Sequence, residues 1–504
     1  MAALRINILS NYAGQLWMAA IGIAFLPLYI RILGMEAFGF VGLMLSFQSI
    51  LQLFDFGIGG ATNRELSRRA HDRELGVAAR DLVRTSEVVI WTLPLAIALL
   101  AWAFSGPLSE HWLHLREMSP EDGRRSIAIM GLAIALLWPT TFYANCLSGL
   151  ERQPALNAIN LAFSTLRYVG VLPVLLWVAP TIDSFLWWHA AVGLAQSLAM
   201  AAAVWKAMPG NGRPARFRLQ ALQGNRAFAG GLFGIGLLAL AVTQLDRLVL
   251  ASLRPLEEMG RYTLALSIAS GLARLVQPMF NAIYPRFSRL LAQKDDATLG
   301  ELYHLASQHL AVVVASVAAV LVVFAGDVLY LWTGDRLLAA QMAPAMALLV
   351  TGTAVNGMLC MPSALQLASG WTRLAMGLNM MSLAICIPYC LWAVARFGTT
   401  GAAGTYLLAN LVTLLAGIPL MHRRLLRGEM GRWFSRDILP PVLVAGATAL
   451  LASAVMPTLE RDAAGVAMLA AASGCTLLAA AASTPATRQL VQRLRALPFW
   501  GRAD

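Results

Sequence analysis

Residues 11–62 read NYAGQLWMAAIGIAFLPLYIRILGMEAFGFVGLMLSFQSILQLFDFGIGGAT, two apolar runs at 11 to 33 and 38 to 62 joined by the four residues Gly34 to Ala37. Within this stretch only Arg31, Glu36 and Asp55 carry a formal charge. A helix needs about 20 apolar residues to cross roughly 30 Å of hydrocarbon, and both runs exceed that. A connection this short admits only a tight reversal at the membrane surface, so the stretch predicts a transmembrane helical hairpin.

The same pattern continues outward. Runs near 82 to 105, 126 to 148, 157 to 179 and 184 to 205 complete a first group of six. Runs near 228 to 252, 262 to 285, 304 to 330, 341 to 368, 374 to 395 and 402 to 421 form a second six, and 438 to 456 and 464 to 482 close the chain. Of the 504 residues 58% are hydrophobic and 13% charged, with a mean hydropathy of +0.65, where a soluble globule carries about 25% charged residues. The prediction is an all-α polytopic membrane protein of about 14 transmembrane helices, with no room for a sizeable soluble domain. The first run is long and lacks a small-residue cleavage site, so it is expected to remain as the first span.

The net charge of +12 does not point to nucleic acid. Arg and Lys lie mostly in short segments between apolar runs, where they set topology and meet anionic lipid headgroups. With Arg5, the segments 63 to 81, 149 to 156, 206 to 226, 286 to 303, 369 to 373, 422 to 437 and the tail from 483 hold 25 of the 38 basic residues. That bias predicts both termini in the cytoplasm. Trp187, Trp188, Trp332 and Trp433 fall near predicted interfaces, as anchors would. Cys146, Cys360, Cys386, Cys390 and Cys475 all sit in apolar stretches without metal-knuckle spacing, so they read as small hydrophobes.

An internal repeat orders the spans. LGMEAFGFVGLMLS after the first span matches LEEMGRYTLALS after the seventh, pairing Glu36 with Glu257, Gly39 with Gly260, Leu43 with Leu264 and Ser46 with Ser267, an offset of 221. SGLER matches SGWTR at the same offset of 221, pairing Ser148 with Ser369, Gly149 with Gly370 and Arg152 with Arg373. Six spans per copy make the copies parallel, related by an axis along the membrane normal. The expected organisation is a six-helix lobe at 1–205, a Gly-, Pro- and Arg-rich cytoplasmic linker at 206–226, a second six-helix lobe at 227–421, and two additional helices with a basic tail at 422–504. Two such lobes facing a central cavity make an alternating-access transporter.

An ionisable side chain inside a span costs at least about 2.5 to 3.5 kcal/mol on insertion scales, so it usually faces a partner or a wet cavity. Arg84 and Glu87, one turn apart at a span end, read as a surface pair. Arg167 and Arg274 fall near the middle of the fifth and eighth spans and are the leading substrate-binding candidates. Guanidinium forks suit phosphate, so two unpaired cations would select an anionic substrate such as a lipid-linked pyrophosphate. Arg31 extends that surface outward, within snorkelling reach. Asp55 and Asp246 are candidate ion-coupling carboxylates or counter-ions. Asp246 and its neighbour Arg247 point to different helix faces and are not expected to pair. Asn7, Asn11 and Gln15 form a polar stripe that faces a cavity or packs against a helix. Pro27, Pro94, Pro139, Pro173, Pro278, Pro362 and Pro388 permit bends in their spans.

No phosphate-cradling G-x-x-x-x-G-K-[ST] loop occurs, and no metalloprotease helix or nucleophile elbow, so neither an ATP-driven pump nor an enzyme is expected. His111 and His114 lie in the outer loop 106 to 125 without further ligands, and no cofactor or metal is expected. A membrane glycosyltransferase or polymerase of glycan assembly typically needs acidic residues on a substantial outer loop, which this chain lacks.

The residues also carry a family likeness. The stretch from Asn11 to Arg68, together with QLDRLVLASL, MGRYTLALS and SGLERQPALN, resembles the Wzx-type polysaccharide and O-antigen flippases of the MOP exporter superfamily. That resemblance implies translocation of an undecaprenyl-pyrophosphate-linked oligosaccharide across the bacterial inner membrane, without ATP and coupled to a proton or sodium gradient. It implies glycosyltransferases, a polymerase and a chain-length regulator as partners in surface polysaccharide biosynthesis. The last two helices have no repeat partner, and by analogy with lipid II flippases they would offer a surface to a polyprenyl tail. The alternative is cation-coupled drug or metabolite efflux in the MATE branch, for which a carboxylate-dominated cavity would be expected.

Overall fold

A computed structural model describes Trp17 and residues 21–53, 58–69, 75–208, 215–218 and 226–485. Among them the helices are α1 Ile21–Leu33, α2 Met35–Leu53, α3 Ile58–Arg69, α4 Leu75–Pro107, α5 Pro120–Gly149, α6 Gln153–Val178, α7 Ile182–Ala207 and α8 Arg226–Leu253. They continue with α9 Leu256–Gln293, α10 Asp296–Val323, α11 Ala325–Thr333, α12 Arg336–Ala368, α13 Thr372–Phe397, α14 Thr399–Leu425, α15 Met430–Val455 and α16 Ala463–Ser483. Twelve of the described helices are long and apolar enough to cross a membrane, and the apolar parts of α1 and α2 are shorter. The third to fourteenth predicted spans each coincide with one of these twelve, the first is described from Ile21 onward, the second covers α2 and the start of α3, and the described architecture is all-α. The described residues contain no strand, only an isolated bridge between His114 and Pro255.

The helix ends depart from the hydropathy reading in an instructive way. α9 runs for 38 residues, about 57 Å at 1.5 Å per residue, far more than hydrocarbon requires. Its last turns carry Arg286 and Arg289, so much of the segment expected as a loop at 286 to 303 is helix. Backbone hydrogen bonding continues at no cost where side chains turn polar, so hydropathy marks the bilayer and not the helix end.

Proline acts unevenly. Lacking an N–H and crowding the carbonyl four residues back, it accompanies breaks at Phe25 before Pro27, at Trp138 before Pro139 and at Leu359 before Pro362. A widened π segment, Val174–Val178, follows Pro173. By contrast Pro94, Pro278 and Pro388 lie inside unbroken helices.

The chain divides into two compact units, Met1–Thr263 and Leu264–Asp504, with the division inside α9. In the first unit Leu66, Val83, Tyr143, Leu147, Met200 and Val204 join α3, α4, α5 and α7 in one apolar core. In the second, Val312 and Ala315 of α10 pack against Ala445 of α15 and Ala480 of α16. The small residues let the two closing helices approach α10 closely. Large apolar side chains meanwhile point outward, among them Leu95, Leu99 and Trp102 on α4, Trp177 on α6, and Leu450, Leu451 and Val455 on α15. Exposed apolar surface on this scale needs lipid against it.

Candidate functional site

On α6, Asn160 and Arg167 stand two turns apart on one face, and Gln196 of α7 lies opposite. Arg167 donates from Nη2 to Gln196 Oε1, and Gln196 Nε2 donates to Asn160 Oδ1 at 3.2 Å. The guanidinium Nε is buried and has no hydrogen-bond partner. Among the described residues no carboxylate lies within ion-pair distance of Arg167. The cation is held in place by neutral amides that compensate little of its charge.

The surroundings lock α6 in register. Tyr29 of α1 donates its hydroxyl to the Tyr168 carbonyl, the Trp17 indole N–H donates to Thr165 Oγ1 at 3.0 Å, and that of Trp188 to the Leu166 carbonyl at 3.1 Å. His189 stacks on Phe185 at 4.0 Å between centroids, and Phe185 meets Tyr29 edge-on at 5.5 Å. These bonds to Thr165, Leu166 and Tyr168 hold the turn of α6 that carries the arginine.

In the second unit Arg274 is exposed near the middle of α9. Gln277 and Asn281, also exposed, continue its face at helical spacing, and Gln277 Nε2 donates to Asn281 Oδ1 at 3.1 Å. Hydropathy missed this polar stripe because each member is isolated among apolar neighbours; the spacing of three, four and seven was the available signal. Arg31 is exposed in the last turn of α1, where a cation also meets the helix dipole favourably. Asp55, Asn7, Asn11 and Gln15 lie outside the described residues.

Asp246 is buried on α8. Tyr262 of α9 donates its hydroxyl to one carboxylate oxygen, and the Arg247 N–H to the other at 2.9 Å. Arg247 turns instead to Gln244 Oε1 at 3.1 Å, so the two neighbours form no ion pair. Asp246 here fastens α8 to α9.

Two expectations need correcting. Arg84 and Glu87 do pair at 2.9 Å, but only the arginine is a surface group. Glu87 is 7% exposed and accepts from Tyr143 Oη at 2.6 Å and Trp205 Nε1 at 3.1 Å, joining α4, α5 and α7. Trp433 is fully buried and is no interfacial anchor. It opens the π segment Trp433–Ile438, whose wider turn carries Asp437 inward. There Asp437 meets His304 Nδ1 and accepts from Gln308 Nε2 at 2.8 Å, while His304 Nε2 faces Glu429 at 3.0 Å. This cluster escaped sequence reading because its partners come from distant segments.

Within the described residues no group of three or more His, Cys, Asp or Glu is placed to hold a metal. All five cysteines are free, and Cys475 alone among them is exposed.

A family profile described as polysaccharide biosynthesis protein matches residues 4–291. The chain belongs to this family. No curated protein sequence matches the chain. Among solved structures, this member of the polysaccharide biosynthesis family is similar to the lipid II flippase MurJ in an inward closed conformation. The TM-score is 0.71 at 10% identity, covering 94% of this chain and 97% of that one. It is also similar to a multidrug resistance MATE transporter of the MOP superfamily facing inward, with a TM-score of 0.66 at 16% identity over 83% and 96% of the two chains. A third similar structure is a MOP superfamily transporter from Pyrococcus furiosus described as having reversed binding-pocket polarity. There the TM-score is 0.53 at 14% identity over 85% and 93%. The fold is therefore that of MOP transporters and flippases, a scaffold whose substrate is set by the site and not by the helices.

Proposed function

We propose that this protein moves an undecaprenyl-pyrophosphate-linked oligosaccharide repeat unit from the cytoplasmic to the periplasmic face of the bacterial inner membrane by alternating access. The product feeds surface polysaccharide biosynthesis, as O-antigen, capsule or exopolysaccharide. The observation that carries the reading is Arg167. Its guanidinium is placed by the Gln196 and Asn160 amides and keeps a buried Nε with no partner. A diphosphate supplies the missing acceptors and charge, and arginine binds such oxyanions through a planar fork that lysine cannot reproduce.

Within the second unit, Arg274 is the other substrate-binding candidate, beside the neutral donors of Gln277 and Asn281, which suit sugar hydroxyls. Arg31 lies on the route outward. Both termini face the cytoplasm in this proposal, and glycosyltransferases on that side deliver the lipid-linked unit. A polymerase and a chain-length regulator receive it on the other. A proton or sodium gradient drives the cycle, with Asp55 as the carboxylate candidate. Asp246 is the weaker candidate because Tyr262 and the backbone already saturate it.

The test is mass spectrometry of polyprenyl-linked glycans before and after depletion of the protein, with surface polysaccharide followed in parallel. Accumulation of a completed repeat unit on its carrier, with loss of surface polymer, is the expected result. Unchanged glycolipid and polymer in a strain without a redundant flippase would overturn the proposal in favour of efflux of drugs or metabolites.

A further inference from the structure

Residues 272–288 of α9 divide into faces by helical spacing. Leu272, Ile283 and Phe287 are buried. Phe287 meets the ring of Tyr303 on α10 at 6.4 Å between centroids, and a Cβ added to Gly357 of α12 would lie 3.2 Å from Val276 Cγ2. This packing, all within the second unit, fixes the rotation of α9. Arg274, Gln277 and Asn281 consequently stay on the open side. Phe280 and Tyr284 are half-buried beside them, three and seven residues on from Gln277. Their rings lie parallel, with planes 4° apart and centroids 5.6 Å apart, so they form one flat apolar strip along the edge of the polar face.

The amide pair is only partly satisfied. Gln277 Nε2 donates to Asn281 Oδ1 at 3.1 Å, which leaves Gln277 Oε1 as an acceptor and Asn281 Nδ2 as a donor about one helical turn apart. Neither atom has a hydrogen-bond partner among the described residues. An ionised phosphate accepts without donating, and an alkylammonium donates without accepting, so neither uses both atoms. A sugar hydroxyl does both, and so does an N-acetyl amide. A pyranose ring also turns an apolar C–H face to its surroundings, and a flat aromatic strip beside a few placed polar groups is the surface that matches it. From Gln277 to Tyr284 the strip runs about 10 Å at 1.5 Å per residue, more than the width of a single sugar ring.

We propose that Gln277, Phe280, Asn281 and Tyr284 form a subsite for the uncharged part of a glycan, the amides reading hydroxyl or N-acetyl groups and the two rings stacking on sugar faces. The subsite rests on the transport reading above and deepens it. In that topology α9 runs from the outer side inward, so the subsite lies on the cytoplasmic side of Arg274, where a substrate loaded from the cytoplasm brings its sugars. Phe280 and Tyr284 then determine specificity, a role that a ring packed only for support would not have.

The experiment uses the purified full chain in nanodiscs and two lipid probes: undecaprenyl pyrophosphate without sugar, and the polyprenyl-linked glycan extracted from cells depleted of the protein. The unmodified chain should bind the glycan-bearing lipid about tenfold more tightly than the bare carrier, a difference equal to about 1.4 kcal/mol. Phe280→Ala/Tyr284→Ala and Gln277→Ala/Asn281→Ala should each lose that preference, with affinity for the bare carrier moving far less. Exchanging the rings, Phe280→Tyr/Tyr284→Phe, keeps the strip and should keep the preference. A ring-free variant that retains the full preference would overturn the subsite, and so would one that loses both probes in equal measure, because the rings would then only support α9. Should the ring-free variant fail to accumulate, the amide variant decides on the same probes, since its side chains are exposed. An unmodified chain that binds the carrier without preferring the glycan would overturn the subsite and leave the transport reading standing. One that binds neither lipid would overturn both.

Discussion

Two buried charged sites in this molecule are built on opposite plans. In the first unit Arg167 is surrounded by amides and rings and keeps a donor without an acceptor. In the second unit His304 has a carboxylate facing each ring nitrogen, and Asp437 between α10 and α15 is saturated in turn by Gln308. A compensated cluster has nothing left to offer a ligand and acts as a fastener for the closing helices. An uncompensated cation keeps donors free for a ligand, which is why the proposed binding site is placed at Arg167.

The sharpest way to break this contrast is to exchange the arginine. Arg167→Ala should abolish surface polysaccharide in a complementation assay while the protein still accumulates in the membrane, and Arg167→Lys should not restore it, because an ammonium lacks the fork. Arg274→Ala should also abolish it. Full activity in both alanine variants would end the idea of a cationic site.

The compensated cluster predicts the reverse phenotype. Asp437→Ala leaves His304 and Gln308 buried without their acceptor, and removing one partner of a buried pair costs about 3 to 5 kcal/mol. Purified protein should show a clear fall in unfolding temperature. Where it still folds, glycolipid transport should persist. The Glu87 network tests a smaller version of the same logic. Tyr143→Phe removes one donor at 2.6 Å from a carboxylate that keeps Arg84 and Trp205. A hydrogen bond to a charged group contributes about 1.5 to 3 kcal/mol, so the loss in denaturant midpoint should be distinctly below that of Asp437→Ala.

The smallest effect is expected at Asp295, which caps α10 by accepting the Thr298 N–H at 3.1 Å. The side-chain and backbone hydrogen bonds of Thr298 hold its carboxyl below the usual range. A lowered folded pKa means that the cap stabilises fully above the unfolded value of about 3.9 and fades as pH falls through the folded one. Asp295→Asn keeps a good capping side chain and should remove this acid dependence with little change near neutrality. An acid profile identical to that of the unmodified protein would assign the dependence elsewhere.

The spans were legible in the sequence, and so was the repeat. Apolar run length is a one-dimensional quantity, and the third to fourteenth predicted spans all coincide with long apolar helices. The offset drawn from two turn motifs reappears in the reciprocal close approach of Gly39 to the Leu256 carbonyl and of Gly260 to the Met35 carbonyl. The candidate site was legible only in part. Arg167 and Arg274 stood out as lone charges, but the Gln196 and Asn160 amides that place Arg167 did not, since polar uncharged residues are common in spans. Glu87 was misread for the same reason: its near neighbour Arg84 was visible and its distant partners were not.

What the sequence determined by itself is the all-helical membrane class, the approximate number of long apolar helices and the scarcity of acids beside arginines. These follow from solvent exclusion and from how far a short turn can reach. Tertiary structure alone decided which charges are compensated. His304 finds Asp437 across 133 residues, and Glu87 finds Trp205 across 118. In a bilayer the helices are fixed by local backbone hydrogen bonding before they pack, so the side chains that meet depend on packing geometry that hydropathy does not encode.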